Sequence, residues 1–356
     1  RGGIVLSLDE MDKIIELDEK NMMLRVQPGV LTKAVHDFCA ARDLYYPPEP
    51  SSYVYSTIGG NIAENAGGIR AVKYGVTSDY VMGLEVVLPG GDIIHTGGKL
   101  IKNVTGYNLT QLFVGSEGTL GVITEAILKV IAKPKHLASA MASFKSIEDA
   151  CEAVNACLLS GVTPTAAELM DKLSCEAAAR FNEFPLKDDV GAMIVFDLDG
   201  ATEAICQSDM ATLEDVCKRV GAIEFTLSKT EEERNDLWKL RRNLSTAVKV
   251  LAPDRVGEDI TVPRAMLPTI CKRIGEICAS YGFMVSIFGH AGDGNLHPSL
   301  LVDLSNEETR AKVDACVADI FRAAVEVGGK LSGEHGIGIS KQPYIELALE
   351  KEEIDA

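Results

Sequence analysis

The sequence predicts an α+β fold with more than one domain, and three observations lead to that prediction. The chain has 356 residues, which is long for one compact core and suggests two or three domains. Up to about residue 134, short strands alternate with Gly-rich loops; from about residue 137, strands alternate with longer amphipathic helices. We therefore expect a domain boundary at Lys133-Pro134-Lys135.

Composition and charge narrow the classes of function. The chain is 46% hydrophobic and 24% charged, as in an ordinary globular protein, and its net charge of -17 argues against nucleic acid and anionic membrane surfaces as partners. We find no apolar run of about 18 residues and no signal-peptide layout, so we expect no membrane insertion. The nine cysteines are scattered without a C-x-x-C pair. This pattern is typical of reduced thiols in a cytoplasmic protein and offers no iron–sulfur ligand set.

The first domain is expected to consist of short strands around one helix. Leu31, Ala34, Val35 and Phe38 have helical spacing, which predicts a helix over 31–42. Alternating apolar residues and turn signals predict the strands. These expected strands cover residues 4–8, 14–17, 22–27, 82–88, 93–95 and 125–132.

Glycines cluster in the loops of this domain, chiefly over 57–68, 73–75 and 115–121. Interleaved with Ser, Thr and Asn, they indicate a backbone that wraps closely around a ligand with phosphates. On the glycines alone, a set of tight turns fits equally well. The stretch is not a Rossmann fingerprint, because G-x-G-x-x-G and the acid that should follow it are absent, so NAD is not expected.

The second part of the chain is expected to form repeated β-α-β units, as in a ferredoxin-like sheet with helices on one face. Capping-box patterns at Ser146, Thr230 and Ser305 mark three helix starts. The expected strands cover 138–144, 164–170, 192–198, 223–228, 257–262, 283–290 and 296–302. The expected helices cover 146–160, 173–182, 201–221, 230–250, 264–281 and 305–328.

Two Gly-framed stretches carry three of the six histidines. His290 and His297 stand on either side of a Gly-rich turn, and we expect them to face each other across a hairpin, which would let two ring nitrogens converge on one metal ion. Glu334 and His335 lie together in a second loop between glycines. The alternative is that each histidine only makes hydrogen bonds in its own turn, but three histidines together with Glu334 in two Gly-framed loops favour a site.

Five ordered motifs, at 48–52, 57–68, 115–121, 290–297 and 333–338, resemble those of the FAD-dependent D-2-hydroxyacid dehydrogenases in the vanillyl-alcohol oxidase superfamily. Within that family, the chain resembles the D-lactate dehydrogenases and the flavoprotein subunit of glycolate oxidase. The resemblance implies a vanillyl-alcohol-oxidase-type FAD-binding domain over 1–134 and a ferredoxin-like α+β cap and substrate domain over 135–303. It also implies that 304–356 returns to the FAD domain with active-site residues.

The resemblance also implies roles for individual residues. His290, His297 and Glu334 would bind one divalent metal (Zn, Mn or Fe), His335 would accept the proton, and Arg241 would bind the substrate carboxylate. For Arg241 the alternative is a solvated helix face. The residues that would line the flavin are Glu49, Ser51, Thr57, Gly59, Gly60, Asn61, Asn65, Gly67, Gly68, Tyr74, Gly75, Glu117, Gly118, Gly121, Val122 and Ile123.

The substrate and the electron acceptor follow from the same resemblance. Relatives that act on longer diacids carry an additional lysine where this chain has Val256-Gly257, which favours a small monocarboxylate such as D-lactate or glycolate. Without an iron–sulfur ligand set, the flavin is expected to pass electrons to a partner, either an electron-transferring flavoprotein or an iron–sulfur subunit.

Two departures from the family keep alternatives open. The family's loop around the FAD pyrophosphate, which precedes the first strands, and its C-terminal stretch do not appear in the sequence. Either the chain is truncated or partly ordered, or flavin binding is weakened as in a non-catalytic scaffold subunit. An oxygen-reducing FAD oxidase is a further alternative, disfavoured because such enzymes do not need the His/His/Glu set.

Overall fold

A computed structural model describes residues 3–355. The chain divides into two compact units. The first unit comprises the residues up to Pro134 together with Glu334–Gly336, and the second comprises Lys135–Gly333 together with the residues from Ile337 onward. Of the segment 304–356, only Glu334–Gly336 group with the first unit.

Antiparallel strands form the first unit around a five-stranded sheet of order β1-β2-β6-β4-β5, with β3 and β7 paired separately. Its strands are β1 Ile14–Asp18, β2 Met23–Val26, β3 Leu44–Tyr45, β4 Val81–Val87, β5 Ile93–Gly97, β6 Val122–Lys129 and β7 Ile131–Ala132. Its helices are α1 Thr32–Ala40, α2 Ile58–Glu64, α3 Ala71–Tyr74 and α4 Leu109–Phe113, with a 3-10 turn at Thr77–Asp79.

The core of the first unit lies between this sheet and helices α1 and α2. Leu24, Leu84 and Leu128 from the strands pack with Val35 of α1 and Ile62 of α2. The strand expected over 4–8 is wrong: those residues form no strand, and the side chains that would have belonged to it, such as Ile4, are exposed. Apolar alternation alone could not reveal that this stretch has no pairing partner.

The second unit is built on an eight-stranded antiparallel sheet of order β11-β8-β10-β9-β14-β15-β12, with β13 also paired to β15. The order β11-β8-β10-β9 is ferredoxin-like, because β10 lies between two strands joined by a helical crossover. The strands are β8 His136–Phe144, β9 Ala166–Asp171, β10 Ala192–Gly200, β11 Glu224–Leu227, β12 Asp254–Gly257, β13 Ile260–Thr261, β14 Met284–His290 and β15 Asn295–Val302.

Helices complete the second unit and give it the α+β character predicted from the sequence. The longer ones are α5 Ile147–Leu159, α6 Lys172–Asn182, α7 Glu203–Val220, α8 Glu231–Arg242, α9 Leu244–Lys249, α10 Leu267–Ser280 and α11 Glu307–Glu326. Two short helices, α12 Ile345–Ala348 and α13 Lys351–Asp355, follow, and 3-10 turns lie at Arg264–Met266 and Gln342–Tyr344.

Helices cover both faces of this sheet, so the expectation of helices on one face is wrong. Helices α5, α7, α10 and α11 pack in one core with Ile194 of β10. On the opposite face, Ser174 of α6 bonds Ser286 of β14 at 2.7 Å, and the indole of Trp238 in α8 donates to Asp197 at 2.8 Å. Strand β10 is buried from Ala192 to Asp199 without alternation, which is typical of a strand covered on both faces.

Three boundaries in this unit differ from the sequence prediction. The helix expected over 230–250 breaks at Asn243, whose side chain donates to Asn182 Oδ1 at 2.7 Å. The strand expected over 257–262 is replaced by the shorter β12 and β13. Ser146 and Thr230 cap their helices as predicted, but Asn306 caps α11 because Ser305 bonds Asp303 instead.

Two further findings concern the whole described chain. None of the helices between residues 3 and 355 has the length and apolarity needed to cross a membrane. The nine cysteines all lie among the described residues, where they are buried and form no disulfide bonds.

Candidate active site

The histidine hairpin of β14 and β15 carries two buried imidazoles on one face of the second unit's sheet. His290 pairs with Asn295 and His297 pairs with Phe288, so the two histidines are diagonal neighbours, and the prediction that they oppose each other is wrong. The four-residue turn between the strands fixes this register. Diagonal residues share a face, and the two ring centroids lie 5.2 Å apart at an angle of 86°.

A buried carboxylate lies beside each imidazole on its Nδ1 side. Glu168 Oε1 is 2.6 Å from His290 Nδ1, and Asp259 Oδ1 is 3.6 Å from His297 Nδ1, which is an ion-pair distance. Both acids are fully buried, and the histidines are only 3% and 7% exposed. The Glu168 carboxylate at hydrogen-bond distance from Nδ1 favours the His290 tautomer whose Nε2 carries a lone pair, and this ring, with His297 beside it, fits a metal ion that binds imidazole nitrogen.

Glu168 also holds Arg241, which lies in the last turn of α8. Arg241 Nε donates to Glu168 Oε2 at 2.7 Å, and its side chain is only 12% exposed, so the alternative of a solvated helix face is wrong. Burial alone would raise the pKa of the Glu168 carboxyl, but His290 and Arg241 outweigh burial and hold that pKa below its ordinary value. Glu168 is therefore an ionised acid between an imidazole and a guanidinium.

Asp259 accepts several hydrogen bonds from residues in and near the second Gly-framed loop. Its carboxylate accepts from Asn295 Nδ2 at 2.6 Å, Ser332 Oγ at 2.6 Å and the Gly333 backbone N–H at 2.9 Å. The buried Lys341 ammonium donates to the Asp259 carbonyl at 2.9 Å. One acid thus anchors the two residues that precede Glu334 in the chain.

Glu334–Gly336 themselves belong to the first unit. The side chain of Glu334 is 12% exposed and that of His335 is 57% exposed. A Cβ at Gly336, where φ is +77°, would lie 2.0 Å from Glu64 Oε2 and 3.0 Å from Glu117 Oε1, so only glycine fits there. Burial and the neighbouring Glu117 raise the pKa of the Glu64 carboxyl above its ordinary value, and His335 only partly opposes this shift.

The structure brings two of the predicted flavin loops together. The backbone N–H of Gly115 donates to Ile62 O and that of Glu117 donates to Ala63 O, both at 2.9 Å. Gly118 follows with a φ of +72°, and no atom lies within 4 Å of where its Cβ would be. An uncovered backbone at this point fits a flat cofactor that approaches the main chain closely.

Other predicted flavin residues make contacts inside the first unit. Glu49 forms an ion pair with Arg70 at 2.7 Å, and the buried Asn61 amide donates to Thr32 Oγ1 at 2.8 Å. Thr57 caps α2, the side chain of Asn65 accepts from Ser78 N at 2.8 Å, and the Tyr74 ring meets Tyr45 edge-on.

The remaining predicted flavin residues lie in helix α2, in the loops of the first unit or on β6, so part of the expected loop over 57–68 is helical. Atoms of the first unit lie close to where a Cβ would be at six of these glycines, while Ser51 is exposed and Ile123 is buried. These glycines are Gly59, Gly60, Gly67, Gly68, Gly75 and Gly121, and Val122 is half-buried at the start of β6.

Sequence reasoning missed three residues of the second unit: Glu168, Asp259 and Arg255. A single acid within the apolar run of β9 was the available signal for Glu168, because an unpaired charge is costly in a buried strand. Arg255 is half-buried and donates to Ser299 Oγ at 3.0 Å and Ser245 Oγ at 2.5 Å. Between residues 3 and 355 no carboxylate forms an ion pair with it, and burial lowers its pKa.

Comparison with known proteins identifies the class. Residues 133–356 match the model of the C-terminal domain of FAD linked oxidases, and residues 1–97 match an FAD binding domain. The fold is similar to that of 4-ethylphenol oxidase from Gulosibacter chungangensis, with a TM-score of 0.73 at 18% identity over 97% of this chain and 74% of that one. The chain belongs to the FAD-linked oxidase family, and the predicted fold class is confirmed.

Two named relatives show which members of this family the chain resembles. The chain is 44% identical to glycolate oxidase subunit GlcD of Bacillus subtilis (strain 168), over 100% of this chain and 75% of the relative. It is 35% identical to D-lactate dehydrogenase of Anaerostipes hadrus, over 98% of this chain and 74% of the relative. These matches confirm the resemblance read from the five motifs; the chain spans about three quarters of each relative's length.

Proposed function

We propose that this protein oxidises a small D-2-hydroxy acid, D-lactate or glycolate, to the 2-oxo acid, with FAD as hydride acceptor. The observation that carries the proposal is the cluster on the sheet of the second unit. Two buried imidazoles lie 5.2 Å apart, and the acid beside one of them also holds an arginine. A cation site next to a guanidinium suits a substrate with adjacent hydroxyl and carboxylate groups.

We assign His290, His297 and Glu334 as ligands of one divalent ion, Zn, Mn or Fe. The donor set supports this assignment, because two neutral imidazoles and a carboxylate with open positions are typical of a catalytic metal. Such an ion would lower the pKa of the substrate hydroxyl, as zinc lowers that of water. Arg241 would bind the substrate carboxylate through its planar fork.

His335 is the proposed proton acceptor. Its imidazole follows the proposed ligand Glu334 in the chain, and its side chain is 57% exposed, so the ring could pass a proton on to solvent.

The substrate panel tests the proposal. Mixing the flavin-loaded, full-length protein anaerobically with D-lactate, glycolate, L-lactate and a D-2-hydroxydiacid should bleach the flavin rapidly with D-lactate or glycolate. Failure of every 2-hydroxy acid to bleach a bound flavin would overturn the proposal in favour of a scaffold subunit.

A second candidate is a 2-hydroxydiacid, and Arg255 favours it. Its guanidinium lies 5.8 Å from the centroid of Phe288, the ring over which Arg241 lies at 5.1 Å. A half-buried cation bonded only to neutral groups can bind a second carboxylate. If the diacid is the better substrate, Arg255→Leu should raise its KM at least tenfold and leave that of D-lactate unchanged.

We further propose that the electrons leave to a partner, an electron-transferring flavoprotein or an iron–sulfur subunit. Among residues 3–355 no group of three cysteines lies within ligating range, so the described chain offers no cluster site of its own. After anaerobic reduction, mixing with oxygen should reoxidise the flavin much more slowly than turnover with an artificial acceptor. Reoxidation at the turnover rate would instead support an oxygen-reducing oxidase.

A further inference from the structure

Glu168 occupies an unusual position, because it is a fully buried acid with two cation-forming partners from different elements. It lies on β9 directly across from His290 of β14, and its side chain has no exposed surface. One oxygen lies 2.6 Å from His290 Nδ1, and the other accepts from Arg241 Nε at 2.7 Å. Each oxygen of Glu168 therefore contacts a residue with its own role in the proposed function: His290 is a metal ligand, and Arg241 binds the substrate carboxylate.

We propose that Glu168 is a positioning residue that serves the metal ligand and the carboxylate anchor at once. This inference rests on the proposed function. A carboxylate can only accept, so Glu168 holds the proton of His290 on Nδ1 and leaves Nε2 as the ligand atom. By binding Arg241 through Nε, the same carboxylate fixes the plane of the guanidinium and the direction of its terminal nitrogens.

The geometry favours this role over that of a plain structural ion pair. A buried ion pair contributes little net stability compared with apolar residues of the same size, so stability alone is a weak reason for a charged residue at this fully buried position. Phe288 connects Arg241 to the two histidines. Its ring centroid lies 5.1 Å from the Arg241 guanidinium and 5.8 Å from the His297 ring, which in turn lies 5.2 Å from the His290 ring. The two contacts of Glu168 thus lie within one continuous cluster.

Replacing Glu168 by glutamine tests the proposal without turnover. The amide has the same shape, but its nitrogen end donates, so one of the two N–H partners must face another donor. We expect Glu168→Gln to weaken Zn²⁺ or Mn²⁺ binding by the metal-free protein about 10- to 100-fold, measured by calorimetric titration without substrate. The KM for the hydroxy acid should rise as well, because Arg241 loses its support.

Asp197→Asn is the matched control. Asp197 is a buried carboxylate on the adjacent strand β10 that bonds Trp238 and Ser139, both outside the site. The Asp197→Asn variant should be less stable than the wild type but should keep wild-type metal affinity. Wild-type affinity in Glu168→Gln would overturn the role of Glu168 and leave the proposed function standing. A wild-type protein that binds neither ion would overturn the metal site itself.

A second measurement needs no variant of Glu168 and remains valid if that variant does not fold. Nitrogen NMR of the metal-free wild-type protein with labelled histidines reports which ring nitrogen of His290 carries the proton, and His290→Gln assigns the signal. We expect the Nδ1–H tautomer. The Nε2–H tautomer at His290 would overturn the proposal, whatever the metal titration gives.

Discussion

The flavin loops of the first unit and the histidine hairpin of the second are both framed by glycines, but they are held in different ways. In the loops, backbone conformation sets the geometry: Gly115 and Glu117 donate to the end of α2, and Gly118 has a positive φ. In the hairpin, side chains set the geometry: Glu168 lies at hydrogen-bond distance from His290, and Asp259 lies 3.6 Å from His297 Nδ1. A cofactor that contacts main chain needs the first arrangement, whereas chemistry at a side-chain nitrogen needs the second.

Removing the proposed base should give the largest effect. His335→Ala leaves the hairpin and its acids unchanged, so flavin reduction should slow roughly 10²- to 10⁴-fold while KM changes little. Stopped-flow reduction at neutral pH measures it. The matched control is His95→Ala. Because His95 is exposed in the same unit, its replacement should leave the rate of flavin reduction unchanged. Near-normal reduction in His335→Ala would mean that another group takes the proton.

A substitution at Gly68 tests whether backbone conformation sets the geometry of the flavin loops. A Cβ there would lie 2.1 Å from the Glu49 carbonyl oxygen, so Gly68→Ala should cost roughly 3 to 5 kcal/mol through strain and overpacking. Gly118→Ala has space for its methyl and should cost only about 1 to 2 kcal/mol through its positive φ. Urea unfolding compares them; equal losses would refute steric control at Gly68.

Two acids on β9, three residues apart, show how charged partners change the pKa of a carboxyl in the second unit. Glu168 has cationic partners, whereas Asp171 has only neutral donors, Ser174 N and Ile287 N, and burial raises the pKa of Asp171 from 3.8 to about 6. The folded state therefore keeps a proton that the unfolded chain releases. This contribution to stability is complete below the unfolded pKa of 3.8 and is lost as pH rises through the folded pKa of about 6.

Asp171→Asn should remove that pH dependence. Relative to the variant, the wild type should lose about 1 to 3 kcal/mol of unfolding free energy between about pH 4 and pH 6, and little more above it. Denaturant titrations of both proteins across this range measure the difference. Parallel stability curves would show that Asp171 titrates normally.

The smallest expected effect concerns the fork of Arg241. A lysine keeps the charge but cannot offer a planar pair of donors to the substrate while bonding Glu168, so Arg241→Lys should raise KM roughly tenfold and change kcat less. Arg242→Lys, on the exposed neighbour, should match the wild type. If both variants gave the same KM, Arg241 would not bind the carboxylate.

Local signals predicted most of the fold and part of the site. Helical spacing and the caps at Ser146 and Thr230 were readable because neighbours in sequence determine them, and the alternation of strands and helices indicated a ferredoxin-like sheet. The helices on both faces, the diagonal placement of His290 and His297 and the roles of Glu168 and Asp259 depend on strand register and on packing between distant segments. No periodicity in the sequence encodes which buried acid meets which histidine.

The metal dependence of flavin reduction tests the central claim most directly. The flavin-loaded protein is treated with a chelator, its flavin spectrum is checked, and it is then mixed anaerobically with its best 2-hydroxy acid before and after Zn²⁺ or Mn²⁺ is restored. We predict that the chelated protein keeps its flavin but no longer bleaches, and that one ion restores the rate. Bleaching at the same rate after complete removal of metal would contradict the account and reduce His290 and His297 to a hydrogen-bonded pair.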